Sequence, residues 1–166
     1  MMENLERGKP LLTEEQAAYL ALYDAQDLHL MRLADAAKAR GADRVEELVR
    51  FARAGGFNRL GIAHCVAVAG AAEKLEARLR EEFTVVRVDC KVGHIPANLL
   101  VEGGKGTACN PIGQAKELAL AGTDLNIVLG LCLGHDLIFA RHSAAPITTL
   151  VVKDRLHQHN PIAALR

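Results

Sequence analysis

Apolar residues in this chain follow two spacings that meet near residue 57. Before that point they recur at helical intervals. Val45, Leu48, Val49 and Ala52 stand at i, i+3, i+4 and i+7, a single apolar stripe along a helix. Further upstream, Thr13 and Gln16 form a capping box ahead of a run rich in Ala, Leu, Gln and Arg that reaches Arg40. Its apolar positions include Leu20, Tyr23, Leu30, Met31 and Ala34. Asp24 and Asp27 can interrupt the run, so it reads as one long helix or two short ones, ended by Gly41. Asp43, with Glu46 as its box partner, starts the striped helix, and Gly55 and Gly56 stop it. Residues 1–12 read as a loose tail. The whole segment suits packing against the rest of the chain or against another subunit, and it carries no catalytic constellation.

From Arg59 onward strands and helices alternate. RLGIAHC (59–65) and TVVRVDC (84–90) read as the first two strands. The third lies within DLNIVLGLCLGHD, Asp124 to Asp136, where only Asn126 and Gly130 break the apolar run from Leu125 to Leu131. Such a run suits a strand buried on both faces of a parallel sheet. PITTLVVKD (146–154) is the fourth. Between them fall helices over about Ala71 to Glu82, with Ala72, Leu75 and Leu79 inward, and over Pro111 to Ala121, with Gly122 after it. A short helix follows over about Asp136 to His142, where Asp136 suits an N-cap. Units of this length force parallel strands with right-handed crossovers.

The expected fold is therefore α/β: a Rossmann-like three-layer sandwich around a mainly parallel four-stranded sheet in the order 2-1-3-4. Residues 1–56 form a helical extension, and residues 57–166 the core. Lys91 to Asn110, with Gly93, Pro96, Gly103, Gly104 and Gly106, is a loop long enough to be functional or mobile. The tail from Arg155 to Arg166 caps the sheet edge.

Composition narrows the function classes. At 166 residues the chain fits one domain with a sizeable core, and 50% apolar with 24% charged residues is globular rather than disordered composition. Twenty basic residues balance twenty acidic ones, so no charge footprint for nucleic acid or an anionic membrane stands out. No apolar run reaches the length of a membrane-spanning helix. MMENLERGKP has no apolar h-region, and the expected location is the cytoplasm. In a reducing compartment the four cysteines read as free thiols or metal ligands.

Those cysteines carry the candidate chemistry. Cys65, Cys90 and Cys132 come at or just after strand ends, and Cys109 lies two residues before a helix. Parallel strands put these ends on one edge, where open α/β sheets bind ligands, so the four sulfurs can converge despite irregular spacing. Four thiolates suit zinc or an iron–sulfur cluster. Iron–sulfur is favoured because the ligands come from separate loops rather than a compact knuckle. Taken singly, each cysteine is equally at home as a small buried apolar residue. No C-x-x-C pair exists, so a thioredoxin-type dithiol and a zinc ribbon both lack their mark. His64, His94 and His135 accompany the cysteines, and His135 and Asp136 are the candidates for proton handling. Lys91, Asn110, Lys153 and Arg155 stand near the same edge, placed to bind an anionic cofactor or offset thiolate charge.

Two nucleotide signatures fail. GGKGT (103–107) lacks the P-loop order, and no G-x-G-x-x-G follows the first strand. By contrast CKVG (90–93), CNPIGQA (109–115), GTDLNIVLGLCLGHD (122–136) and APITTLVVKDR with HNP (145–155, 159–161) resemble a prokaryotic family described as metal-binding and otherwise of unknown function. The resemblance runs from about Leu60 to the carboxyl end. It implies ligand roles for Cys65, Cys90, Cys109 and Cys132. Many members look as if they carry a cysteine-rich amino-terminal segment, whereas this chain has no cysteine before Cys65. The leading expectation is a metal centre with a redox or electron-transfer role, served by a partner protein or a small molecule. A zinc-binding regulatory module, paired with itself through the amino-terminal helices, is the alternative. A metal-free thiol enzyme using Cys132 or Cys65 is the third reading.

Overall fold

A computed structural model describes residues 12–166. Strands β1 (Arg59–His64), β2 (Thr84–Asp89), β3 (Leu125–Leu129) and β4 (Ile147–Val151) form one sheet in the order β2-β1-β3-β4, and every pairing is parallel. The helices are α1 (Glu14–Leu20), α2 (Ala25–Ala37), α3 (Arg44–Ala54), α4 (Ala69–Leu79), α5 (Pro111–Leu120) and α6 (His135–His142). Fold class and strand order agree with the sequence pattern.

The three layers follow from which residues are apolar. On one face the striped residues Leu48, Val49 and Ala52 of α3 join Ala72, Leu75 and Leu79 of α4 over Leu60, Ile62, Ile127 and Leu129. On the other, Ala115 and Leu118 of α5 and Phe139 of α6 cover Ala63 and Val128. All five residues of β3 are buried, as its unbroken apolar run requires. The one polar member, Asn126, is satisfied: Thr123 Oγ1 donates to its Oδ1 at 2.8 Å and its Nδ2 donates to Ser143 Oγ at 2.8 Å. Gly61 in the adjacent strand leaves room for that amide, because a Cβ there would collide with Asn126 Oδ1 and press on Leu118.

The amino-terminal run is two helices. Asp24 caps α2 by accepting from the Asp27 N–H, and Asp27 reciprocates. That break resets the helical phase, so α2 buries Leu33 and Ala37, whereas Leu20, Tyr23 and Met31 remain exposed. None of the residues of α1 is buried. Apart from Leu12, the tail expected over residues 1–12 lies outside the described residues. Asp43 caps α3 through the Val45 and Glu46 N–H groups, but Glu46 pairs with Arg50 instead of closing a box.

Asp136 is a correction. Gly134, with φ of 89°, is the cap of α6, and Asp136 sits inside the first turn, where its Oδ1 accepts from the Gly134 and Leu137 N–H groups. The loop from Lys91 to Asn110 is also better structured than its glycines suggest. Pro96 and Thr107 pair antiparallel, and the Ala97 N–H and Ala108 N–H donate to Gly106 O and Ile95 O, each at 2.8 Å. Among the described residues no helix is long and apolar enough to cross a membrane.

Candidate thiol site

The carboxyl ends of the strands place the cysteines on one rim. β1 stops at His64 and β2 at Asp89, so Cys65 and Cys90 each begin the turn out of neighbouring strands. Cys109 is drawn in from the long loop. The Asn110 N–H donates to Cys90 O at 2.8 Å, and Asn110 Nδ2 donates to Val92 O at 3.0 Å, stapling the two segments together. The same side chain caps α5 by accepting from the Gly113 N–H. Asn110 therefore acts as a structural clamp on the site.

The resulting sulfur contacts are specific. The Cys109 and Cys90 sulfurs lie 3.7 Å apart, within hydrogen-bond reach. Cys65 leaves the end of the neighbouring strand β1 on the same rim. A single 3-10 turn, Val66–Val68, aims its first amides at the same group: the Val66 N–H faces Cys90 Sγ and the Ala67 N–H faces Cys65 Sγ. Cations surround the cluster. Lys153 Nζ lies 3.3 Å from Cys65 Sγ, and Lys91 Nζ lies 3.7 Å from Cys109 Sγ while also donating to Thr107 O at 2.6 Å.

Electrostatics separates the central thiols. Burial raises the Cys65 pKa, but the Ala67 N–H, the Lys153 ammonium and the Cys90 thiol outweigh it and hold Cys65 below the ordinary thiol range. For Cys90, burial is the main cause of a rise to about 12, reinforced by Cys109 and Cys65 and opposed by the Val66 N–H.

Cys132 has a different set of neighbours. Its sulfur accepts from Arg155 Nη2 at 3.1 Å, and its carbonyl accepts the His135 and Asp136 N–H groups. Because β3 ends at Leu129 and Gly130 turns with φ of 59°, Cys132 is carried three residues beyond the sheet. Among the described residues, no three His, Cys, Asp or Glu side chains already stand as a group that could hold a metal ion. The rim brings Cys90 and Cys109 together and sets Cys65 and Cys132 each beside its own cation.

Other candidates divide. His64 is 1% exposed and turned from the sulfurs: its Nδ1 pairs with Cys65 O at 3.1 Å, and its Nε2 meets Arg87 Nη1 at 3.2 Å. A guanidinium can only donate, so Nε2 accepts and Nδ1 carries the proton, which makes His64 a structural link. His94 occupies a left-handed turn position, φ 49°. His135 opens α6, and its N–H serves Cys132 O.

The turn after β4 carries Lys153 and Arg155, two of the cations expected to offset thiolate charge. It supplies them to two different sulfurs and is organised by Asp154 between them. Asp154 accepts from the Leu156 and His157 N–H groups and from His157 Nδ1. The His157 N–H is the leading cause of its lowered pKa, partly opposed by burial. Gln158 and His159 follow with φ of 52° and 66°. The signal for this turn was the density of charged and imidazole groups directly after a strand.

A cavity of about 430 Å³ lies at the opposite end of the sheet, between α2, α3 and the starts of β3 and β4, walled by Met31, Phe51, Leu125 and Ile147. None of the cysteines lines it.

A family model described as a protein of unknown function (DUF1847) matches residues 9–150. An uncharacterized protein of Methanocaldococcus jannaschii is 42% identical over 127 residues, which is 74% of this chain and 66% of that protein's length. No solved structure matches the chain.

Proposed function

This chain belongs to the DUF1847 family of proteins of unknown function, and from its rim of sulfurs we propose that it binds a soft metal ion through Cys65, Cys90 and Cys109. The observation that carries this reading is the 3.7 Å between Cys90 Sγ and Cys109 Sγ. Zinc–thiolate bonds of about 2.3 Å place two sulfurs of one tetrahedral ion about 3.8 Å apart, so this pair already spans one tetrahedral edge. In a four-iron cubane each cysteine holds a different iron, and its sulfurs stand farther apart. The spacing therefore argues against a four-iron cubane, although each iron of a two-iron cluster also holds two thiolates at such an edge; with three sulfurs rather than four invoked, we place zinc before an iron–sulfur cluster.

The donor set fits in its chemistry and in one of its edges. Cys65 must shift towards the pair to complete three positions, since no group of three is preformed among the described residues. Cys132 or an external ligand takes the fourth. A bound divalent ion supplies Lewis acidity and a fixed tetrahedral frame. The chain's own part is to deliver thiolates: Lys153 and Lys91 balance the charge of Cys65 and Cys109, and the Val66 and Ala67 amides orient Cys90 and Cys65. Free thiols at this spacing also suit a reducing compartment.

Cobalt(II) titration of metal-free, reduced protein tests the reading. The expected result is one equivalent bound, with intense sulfur-to-cobalt and tetrahedral bands that weaken in Cys90→Ser and in Cys109→Ser. Weak octahedral bands, or full-strength bands in both variants, would overturn it.

A further inference from the structure

We propose that Cys90 and Cys109 form a reactive dithiol that reduces anionic low-molecular-weight disulfides and closes to an intramolecular disulfide. The inference shares its sulfurs with the metal site but concerns the metal-free protein, so each can fail without the other.

Three observations support the pairing. The sulfurs already touch at 3.7 Å, and bonding requires an approach to about 2.05 Å. The backbone that must hold still is tied in place by the Asn110 N–H to Cys90 O and by Asn110 Nδ2 to Val92 O. The two thiols also differ in access: Cys90 is 2% exposed, while Cys109 is half-buried on the outer loop. An external disulfide therefore meets Cys109 first. Lys91, whose Nζ stands 3.7 Å from Cys109 Sγ, gives that approach a positive charge, which selects substrates carrying carboxylates.

The steps balance as follows. Cys109 Sγ attacks one sulfur of the external disulfide; the new S–S bond forms as the external one breaks, and the first small thiol leaves with the Cys109 proton. Cys90 Sγ then attacks Cys109 Sγ, and the second small thiol leaves with the Cys90 proton. The protein gives up two electrons and two protons, and the disulfide becomes two thiols. Neither Cys65 nor Cys132 takes part. Cys65 is 7% exposed behind Lys153, and Cys132 is engaged by Arg155.

The test treats the full, metal-free, reduced chain with glutathione disulfide, quenches with acid and maps the linked peptides by mass spectrometry. Wild-type protein is expected to show a Cys90–Cys109 link and the loss of two hydrogens. Cys90→Ser removes the resolving sulfur, so glutathione should remain trapped on Cys109. A link between any other pair, glutathione trapped on Cys65 or Cys132 instead, or four thiols left reduced would overturn the proposal. The wild-type arm stands even if the variant folds poorly. Cobalt titration of the same preparation reports separately on the metal site.

Discussion

Gln114 offers the sharpest test of how the rim is held. The residue has no solvent exposure, and its Nε2 donates to His64 O at 3.1 Å and to Val88 O at 2.9 Å. Those carbonyls belong to the last residue of β1 and the last but one of β2, so one amide fixes the spacing of the strands from which two sulfurs leave. Gln114→Leu keeps the bulk and deletes both bonds. At about 0.5–1.5 kcal/mol for each, the direct loss is about 1–3 kcal/mol. Removing the buried Oε1, which has no partner among the described residues, gives some of this back. Leaving two acceptors short where there was one outweighs that relief, so the expected net loss is about 1–2 kcal/mol. For a chain of this size each kcal/mol lowers the melting temperature by roughly 2–4 °C. Gln114→Glu keeps the shape but faces two carbonyl oxygens with a carboxylate. It should be less stable at pH 8 than at pH 5, where a proton restores one donor. Urea denaturation at both pH values measures these differences. A leucine variant with an unchanged midpoint, together with a glutamate variant insensitive to pH, would refute the strut.

Three further outcomes follow from the same geometry. Gly61→Ala drives a methyl group into Asn126 Oδ1 and Leu118, and overpacking together with the disturbed Thr123 bond should cost about 2–4 kcal/mol in urea unfolding; a loss below that range would mean the strands can part. With the Cys90 pKa pushed up to about 12 from an ordinary 9.0, the folded metal-free protein keeps a proton that the unfolded chain releases. Stability should therefore fall as pH rises from 9 towards 12, and this slope should flatten in Cys90→Ala; Cys65, held below its ordinary value, acts in the opposite direction by adding stability as pH rises towards 9.0. Replacing the exposed Tyr19, Leu20 and Leu22 by serine alters no buried residue, so the unfolding free energy should hold within about 0.5 kcal/mol. If these residues meet a second copy, the sedimentation mass should halve relative to the unsubstituted chain; an unchanged mass rules that face out as the contact.

Periodicity read the scaffold well because burial on both faces leaves an unambiguous imprint. β3 and the inner residues of α4 show it most plainly, since every apolar position there faces a neighbour. The amino-terminal helices were harder to read. Apolar residues such as Leu22 and Met31 are exposed, so composition suggested burial that the monomer does not provide. Strand ends also set the limit at the site. Cys65 and Cys90 sit one residue past neighbouring strands and inherit their register, whereas the left-handed turn at Gly130 carries Cys132 to a place that no spacing rule gives. The cation beside each outer sulfur was legible as a charge near the edge, but its particular partner depends on how the turn after β4 folds around Asp154.

That turn has a consequence for how the molecule breathes. Among the described residues β4 is paired along only one side, and both Lys153 and Arg155 hang from its far end. Whenever this outermost ribbon peels from β3, Cys65 and Cys132 lose their cationic neighbours in the same event. Amide exchange along β4 and the access of a thiol reagent to Cys65 and Cys132 should therefore rise and fall together, as though the edge of the sheet were a single hinge serving both.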